Sequence, residues 1–181
     1  NTAQPGWFVG HGGGVWANNS NTVFQDCIIR NNTAGGNGGG INYFEGGWPE
    51  LYNCVIDGNT SSAAGGGVYI HDDGGWNNNG LTMDRCLVTN NSSTTYSAAI
   101  ASAGNAGINR ITNSTIVGNS GGGAAVEAYN ASGLEVFNSI IWGNSPSNFE
   151  NEFGITFGDG FVSHSNIGGG WDGEGNISSN P

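Results

Sequence analysis

The chain has 181 residues, of which 35 are glycine, 36% are hydrophobic and 9% are charged. Three arginines, no lysine and 14 acidic residues give a net charge of −11. Nucleic-acid binding and attraction to anionic membrane surfaces both depend on Lys and Arg. The composition therefore excludes these two functions, and no apolar run of 18 residues predicts a membrane span.

Residues 1–21 predict only the trailing part of a repeat. Gly12-Gly13-Gly14-Val15 matches GGGI at 38–41 and GGGV at 65–68, but no cysteine-bearing strand precedes it. The chain opens on Asn1 and shows no signal peptide. We interpret it as a mature or excised segment whose targeting sequence has been removed, and expect a secreted protein, extracellular or on the cell surface.

Residues 22–160 repeat one short pattern. Its clearest copy, LYNCVIDGNTSSAAGGGVYI at 51–70, predicts a strand, a sharp turn, a small polar loop, three glycines and a second strand. Copies open near residues 22, 49, 81, 109 and 134, and a last one at Phe161. Apolar residues alternate with period two and are then interrupted by Gly or Asn, which argues against helices. A strand-and-turn unit every ~28 residues predicts a stacked solenoid.

Three positions of the repeat recur in every full copy. We expect the aliphatic position to form an inward column, and the asparagine position to hydrogen-bond between coils and to adopt the left-handed backbone of a tight corner. The first position holds Cys27, Cys54 and Cys86, then Ser114, Ser139 and Ser165. The aliphatic position holds Ile29, Ile56, Val88, Ile116, Ile141 and Ile167. The asparagine position holds Asn32, Asn59, Asn91, Asn119 and Asn144.

The three cysteines share one position of the repeat, so they predict a column of small buried thiols. Neighbours on parallel strands lie about 4.8 Å apart, which is within reach of a disulfide. One disulfide with a thiol left over is therefore the alternative. Zinc is disfavoured because no CxxC or paired histidine accompanies them.

The repeat predicts an all-β fold, a right-handed parallel β-helix of five to six coils. We expect a single domain over 1–181, with 161–181 as the closing coil and tail. The units at 53–70 (NCVIDGN…GGGVYI) and 164–177 (HSNIGGGWDGEGNI) resemble secreted bacterial right-handed parallel β-helix proteins. These include the polymorphic outer-membrane-protein repeats and the pectate-lyase-like superfold. The resemblance covers roughly residues 12–177. It implies the fold more than an activity, because such coils occur in adhesins, lyases and structural proteins.

Few residues suggest catalysis or metal binding. Asp72 and Asp73 could supply oxygen ligands to calcium, or could belong to a solvated loop that lengthens this repeat. A polysaccharide lyase needs a strong base, yet the three arginines occupy unrelated positions in the repeat. A hydrolase needs two facing carboxylates, and the later acidic residues show no such pairing. We therefore predict no catalytic residue and no cofactor apart from this calcium hypothesis.

Other side chains suggest surface recognition. Trp48 and Trp76 lie in glycine-rich loops, where they could stack on sugar rings or simply cover the loops. The sequons at Asn18, Asn31, Asn90 and Asn130 are candidate N-glycosylation sites if the source organism glycosylates. His11 and His164 lack partners at ligand spacing, so we expect them at the surface.

The ends of the predicted column suggest a function. A parallel β-helix leaves unpaired backbone groups and an apolar column at each end, and here no amphipathic helix covers them. We therefore hypothesise a non-enzymatic extracellular structural protein that stacks end to end on copies of itself into a fibre or surface array. The first alternative is a cell-surface adhesin that binds glycans through its tryptophan-bearing loops. The second is a polysaccharide lyase or hydrolase.

Overall fold

The computed structural model describes residues 2–3, 10–45, 47–72, 80–104, 107–129, 133–145, 149–150 and 161–181. These residues form 22 strands and no helix. The strands up to the middle of the chain are β1 (Thr2–Ala3), β2 (Val15–Asn18), β3 (Val23–Gln25), β4 (Ile28–Arg30), β5 (Thr33–Ala34), β6 (Ile41–Phe44), β7 (Glu50–Tyr52), β8 (Val55–Asp57), β9 (Thr60–Ser61), β10 (Val68–Asp72) and β11 (Thr82–Asp84). The remaining strands are β12 (Leu87–Thr89), β13 (Ser92–Ser93), β14 (Ile100–Gly104), β15 (Ile108–Thr112), β16 (Thr115–Val117), β17 (Val126–Ala128), β18 (Gly133–Phe137), β19 (Ile140–Trp142), β20 (Phe149–Glu150), β21 (Phe161–Ser163) and β22 (Asn166–Ile167).

The strands assemble into four parallel sheets that run the length of the molecule. Sheet A has the order β1-β5-β9-β13, and sheet B has the order β2-β6-β10-β14-β17-β20. Sheet C has the order β21-β18-β15-β11-β7-β3, and sheet D has the order β22-β19-β16-β12-β8-β4. Each full coil visits sheets C, D, A and B in turn, so neighbours in a sheet come from successive coils. Isolated bridges from Ser92 to Ser120 and on to Ser145 continue sheet A.

This architecture confirms the predicted all-β parallel β-helix. The strands that open successive coils in sheet C begin at Val23, Glu50, Thr82, Ile108 and Gly133. Each lies within one residue of the opening that the sequence predicts. About five coils are stacked, with partial turns before and after them.

The interior is one continuous apolar column. The aliphatic position of the repeat pairs in register along sheet D, from Ile29 to Ile56, Val88, Ile116, Ile141 and Ile167. All six side chains are buried. They pack against inward residues of sheets B and C, such as Ile41 and Leu51, in a single cluster. Removing this surface from water is the main favourable term in folding, because it scales with apolar area buried.

The asparagine position forms a ladder between coils. From Asn59 onward, each Oδ1 accepts both the backbone N–H and the Nδ2 of the asparagine one coil earlier, at 2.9–3.1 Å. In the same four residues Nδ2 also donates to the carbonyl of the aliphatic residue one coil earlier, as Asn91 does to Ile56 at 2.9 Å. The ladder comprises Asn32, Asn59, Asn91, Asn119 and Asn144, all buried.

The expectation that these asparagines adopt a left-handed backbone is wrong. The positive φ angles fall instead on the residue just before the ladder asparagine and on the residue before the Cys/Ser position. The first group is Asn31, Gly58, Asn90, Gly118 and Gly143, and the second is Asp26, Asn53, Arg85, Asn113, Asn138 and His164. Gly and Asn tolerate this conformation best, which explains their use at the first corner.

A second ladder runs through the Cys/Ser position. The backbone N–H of Cys54 donates to Cys86 Sγ at 3.4 Å, and that of Cys86 donates to Ser114 Oγ at 3.0 Å. Ser114 and Ser139 continue the series toward Ser165 at 3.1 Å per step. Thiols and hydroxyls therefore have the same role, and all three cysteines are free. Burial raises the pKa of Cys86 to about 11, so this thiol stays protonated at neutral pH.

The glycine triplets form the corner that leads into sheet B. Gly38 and Gly65 have φ angles of +67° and +64°. A Cβ on Gly39 would lie 2.4 Å from the carbonyl oxygen of Gly66, one coil away. The corner therefore needs glycine both for its conformation and for the close approach of successive coils.

The C-terminal tail covers the last coil, although the lack of an amphipathic helix suggested an open end. Asn176 Oδ1 accepts the backbone N–H of Ser165 at 3.0 Å and so closes the Cys/Ser ladder. The backbone N–H of Ile177 donates to Ser165, and its carbonyl accepts from Ile167. Trp171 packs against the apolar column. The tail thus satisfies backbone groups that another coil would otherwise pair with.

Replacing a ladder asparagine should destabilise the fold strongly. Asn91→Ala removes the acceptor of the Asn59 backbone N–H and the donor to the Ile56 carbonyl. Each buried group left unsatisfied costs about 1–3 kcal/mol, so we expect these two to cost at least about 2 kcal/mol together. Urea denaturation followed by circular dichroism measures it.

Asn90→Gly is the matched control, because the adjacent Asn90 is exposed and other coils carry glycine at its position. We expect this variant to lose less than about 1 kcal/mol. Similar losses in both variants would show that the ladder has no special role.

Candidate functional site

A groove lies on the outer face of sheet B, at the N-terminal coils. Because side chains alternate between faces of a strand, Trp16 on β2, Asn42 on β6 and Tyr69 on β10 form one outward column. Phe44 and His71 form the neighbouring column on the same face. Successive strands are stacked in register, so these five side chains meet across three coils.

The groove has aromatic walls. The rings of Phe44 and His71 are stacked, with centroids 5.2 Å apart and planes 8° from parallel. Tyr69 and His71 follow at 6.2 Å and 9°. Trp16 stands at the rim with 54% of its surface exposed. The arrangement presents an accessible indole beside a stack of nearly parallel rings.

Polar groups connect the bottom of the groove across three coils. Asn37 donates its backbone N–H to His11 Nδ1 at 2.9 Å, and its Oδ1 accepts from the backbone of Ala64 at 3.0 Å. Its carbonyl accepts from Asn42 Nδ2 at 3.3 Å, which fixes the orientation of that amide. Asn42 Oδ1 is buried and meets no donor among the described residues. The groove therefore has an unused acceptor at its base.

The described residues of the lining include no acid, lysine or arginine. They enclose about 280 Å³ and comprise His11, Trp16, Asn37, Asn42, Phe44, Tyr69 and His71. Burial lowers the pKa of His11 below its ordinary value of 6.5. Its Nδ1 accepts a hydrogen bond, so the neutral ring carries its proton on Nε2. An uncharged aromatic groove with a few polar groups is suited to a neutral ligand.

The sequence did not lead to this groove, because only the loop residues Trp48 and Trp76 were considered as sugar-stacking side chains. Trp48 is 55% exposed and donates its backbone N–H to Asn21 Oδ1 at 2.9 Å, but it does not line the groove. Trp76 lies outside the described residues. The sequence does contain a signal for the groove. When the segments GGGVW, GGGINYF and GGGVYIH are aligned on their glycines, each has an aromatic or histidine ring one or three residues after the aliphatic residue that follows the triplet. Those positions face outward on a strand.

The calcium hypothesis remains a prediction. Asp72 ends β10 and is buried, with 4% of its surface exposed, and Asp73 lies outside the described residues. In the part of the chain that the structure describes, no three His, Cys, Asp or Glu side chains come close enough to hold a metal ion together.

The candidate glycosylation sites differ in their surroundings. Asn18, Asn31 and Asn90 are exposed, whereas Asn130 lies outside the described residues. Asn90 donates its Nδ2, the atom that would carry the glycan, to Asp57 at 2.9 Å. Asn18 is paired with Phe44 and therefore borders the groove.

The outer face of sheet C carries four of the described charged side chains, Glu50, Asp84, Arg110 and Glu135. Arg110 Nε bonds Glu135 at 2.9 Å, and the Tyr52 hydroxyl donates to Glu50 at 2.6 Å. Asp84 accepts from Asn113, and this bond is the main cause of its lowered pKa. A general acid needs a raised pKa instead. Asp84 is therefore poorly suited to act as a general acid, and the hydrolase alternative remains a prediction.

Residues 8–141 match the family model described as right-handed β-helix region. The match covers 134 of 181 residues. The chain belongs to the right-handed β-helix family. Searches of curated proteins and of solved structures found no match for this β-helix. Its described residues include no helix long and apolar enough to cross a membrane.

The stability of this β-helix should decline as the pH falls below 6.5 because of His11. Its pKa is lower in the folded protein, so the unfolded chain binds the proton more readily. The stabilisation is fully present above pH 6.5 and is lost as the pH falls from 6.5 through the folded pKa. Free energies of unfolding in urea at pH 7.5 and 5.0 measure the loss.

His11→Asn keeps an acceptor but does not titrate, so it should lose less stability between these pH values than the wild type. His164→Asn serves as the control, since His164 is exposed and already has the positive φ that asparagine tolerates. It should keep the wild-type pH dependence. The same dependence in all three proteins would contradict the role of His11.

Proposed function

We propose that this right-handed β-helix is a non-enzymatic glycan-binding protein that uses the groove on sheet B. The observation that supports the proposal is the alignment of Trp16, Phe44, Tyr69 and His71 beside Asn42 on one face of three stacked strands. The proposal keeps the adhesin hypothesis but moves its binding surface from Trp48 and Trp76 to this groove.

Sugar rings suit such a surface for a chemical reason. One face of a pyranose carries C–H groups that stack on aromatic rings, while its edges carry hydroxyls. A hydroxyl both donates and accepts, so it can meet the acceptor of Asn42 and the Nε2–H of neutral His11. The groove combines both kinds of contact.

The scaffold supports binding by holding these side chains still. The strands that carry them are hydrogen-bonded to strands of neighbouring coils, and their inward residues pack in the apolar column. Rings that need not be ordered on binding cost less conformational entropy. Since glycans are displayed outside cells, the proposal agrees with the extracellular or cell-surface location that the sequence suggests.

Truncating Trp16 should weaken glycan binding at least tenfold, because the exposed indole supplies the broadest stacking surface of the groove. Screening the wild type on a glycan array and measuring its best ligand by calorimetry gives the reference affinity. Trp16→Ala is then compared with it.

Trp48→Ala is the matched control. Trp48 is as exposed as Trp16 but lies away from the groove, so its loss should leave the affinity unchanged. Loss of binding in Trp48→Ala, with full binding in Trp16→Ala, would place the site in the loops instead. Circular dichroism checks that both variants are folded.

End-to-end stacking remains a second proposal. It is favoured by the outer edges of β3 and β4, since among the described residues these strands pair only with β7 and β8. The C-terminal end opposes it, because the tail occupies the edge that the next copy would use. Electron microscopy of the concentrated protein should show filaments if the tail can be displaced, and dispersed monomers would contradict stacking.

A further inference from the structure

We propose that the groove selects neutral glycans of at least two pyranose rings, bound along the axis of the β-helix, and discriminates against acidic glycans. This inference rests on the proposed glycan-binding function and adds the class of ligand, its length and its direction.

The direction follows from the strand register. Trp16, Asn42 and Tyr69 occupy one outward column on three successive strands. Neighbouring strands are about 4.8 Å apart, so the column spans about 10 Å parallel to the helix axis. A ring stands at each end and an amide between them. Two linked pyranose rings are of this length, with their linking region above Asn42.

The two ends of the column differ, which gives two unequal subsites. Trp16 is open to solvent on one side and forms an outer platform. Tyr69 is only 9% exposed and is joined by Phe44 and His71, so the inner subsite is walled by three rings. A single sugar should prefer the inner subsite, because it is enclosed on more sides. The outer subsite should contribute only when a second sugar is attached.

The preference for neutral ligands follows from charge. No cationic side chain lines the groove, and the three arginines lie on sheets C and D or in the corner between them. Glu45 directly follows Phe44 and is exposed, and the whole chain has a net charge of −11. Binding a carboxylate or sulfate there would bring like charges together without a partner to neutralise them. Such repulsion should weaken as salt rises.

Calorimetry with defined sugars tests both parts. The probes are glucose, the neutral disaccharides cellobiose and lactose, and the acidic disaccharide digalacturonate, each at low and at high salt. We expect at least one neutral disaccharide to bind at least tenfold more tightly than digalacturonate, with an affinity that salt does not change. We also expect it to bind at least tenfold more tightly than glucose.

Two variants separate the subsites. Trp16→Ala should bring the affinity for the preferred disaccharide close to that for glucose, while glucose binding is kept. Phe44→Ala should weaken both. Trp48→Ala should change neither, and circular dichroism checks the folding of all three variants.

The outcomes distinguish this inference from the proposed function. Binding of digalacturonate as tight as that of the neutral sugars, lost in Trp16→Ala, would overturn the neutral selectivity and leave glycan binding at the groove intact. Equal affinity for glucose and the disaccharides would overturn the two subsites. No binding to any sugar here or on the array would overturn both the inference and the proposed function.

Discussion

The structure depends on hydrogen bonds that pass from each coil to the next through the asparagine ladder. A single coil buries too little apolar surface to be stable, so the coils must be stacked in one register. The ladder enforces this register, because each Oδ1 accepts two hydrogen bonds from the preceding coil at 2.9–3.1 Å. A slip by one residue would leave those buried groups unsatisfied and would turn the aliphatic column outward. The Cys/Ser ladder adds the same constraint at the start of each sheet D strand, whereas the asparagine ladder follows the end of each strand.

This constraint leaves the outward positions free to vary. Inward positions must be apolar, and corners must hold glycine or a residue that tolerates positive φ. Outward residues only have to fit beside their neighbours one coil away. Trp16, Asn42 and Tyr69 are such residues, and the register that the interior imposes aligns them. The groove therefore forms because the core holds successive coils in register. Its side chains are held in place by strands whose positions are determined by the core beneath them.

The repeat made most of the fold predictable. The columns headed by Ile29, Asn32 and Cys27 could be read because the three positions keep the same offsets from one another in successive copies. The prediction of a left-handed backbone for the ladder asparagines was wrong. Asn often adopts that conformation at corners, but here its side-chain amide is needed for hydrogen bonds to the neighbouring coil. The covering role of the tail was also missed. Asn176 continues the Cys/Ser ladder, since its amide oxygen accepts the bond that a hydroxyl or thiol accepts in the other coils. Because it is neither Ser nor Cys, the repeat pattern did not reveal this role.

The sequence by itself determined that the chain is an all-β solenoid, where each coil opens, and which residues face its interior, because these properties repeat and periodicity is visible in one dimension. Only the tertiary structure decided which outward side chains become neighbours. Trp16, Phe44 and His71 are separated by 27 or more residues along the chain, and they meet because successive coils are superposed about 4.8 Å apart. The glycine triplets place these residues at equivalent positions of the repeat, but their contact depends on how the intervening loops let the strands stack, and only the structure shows that register.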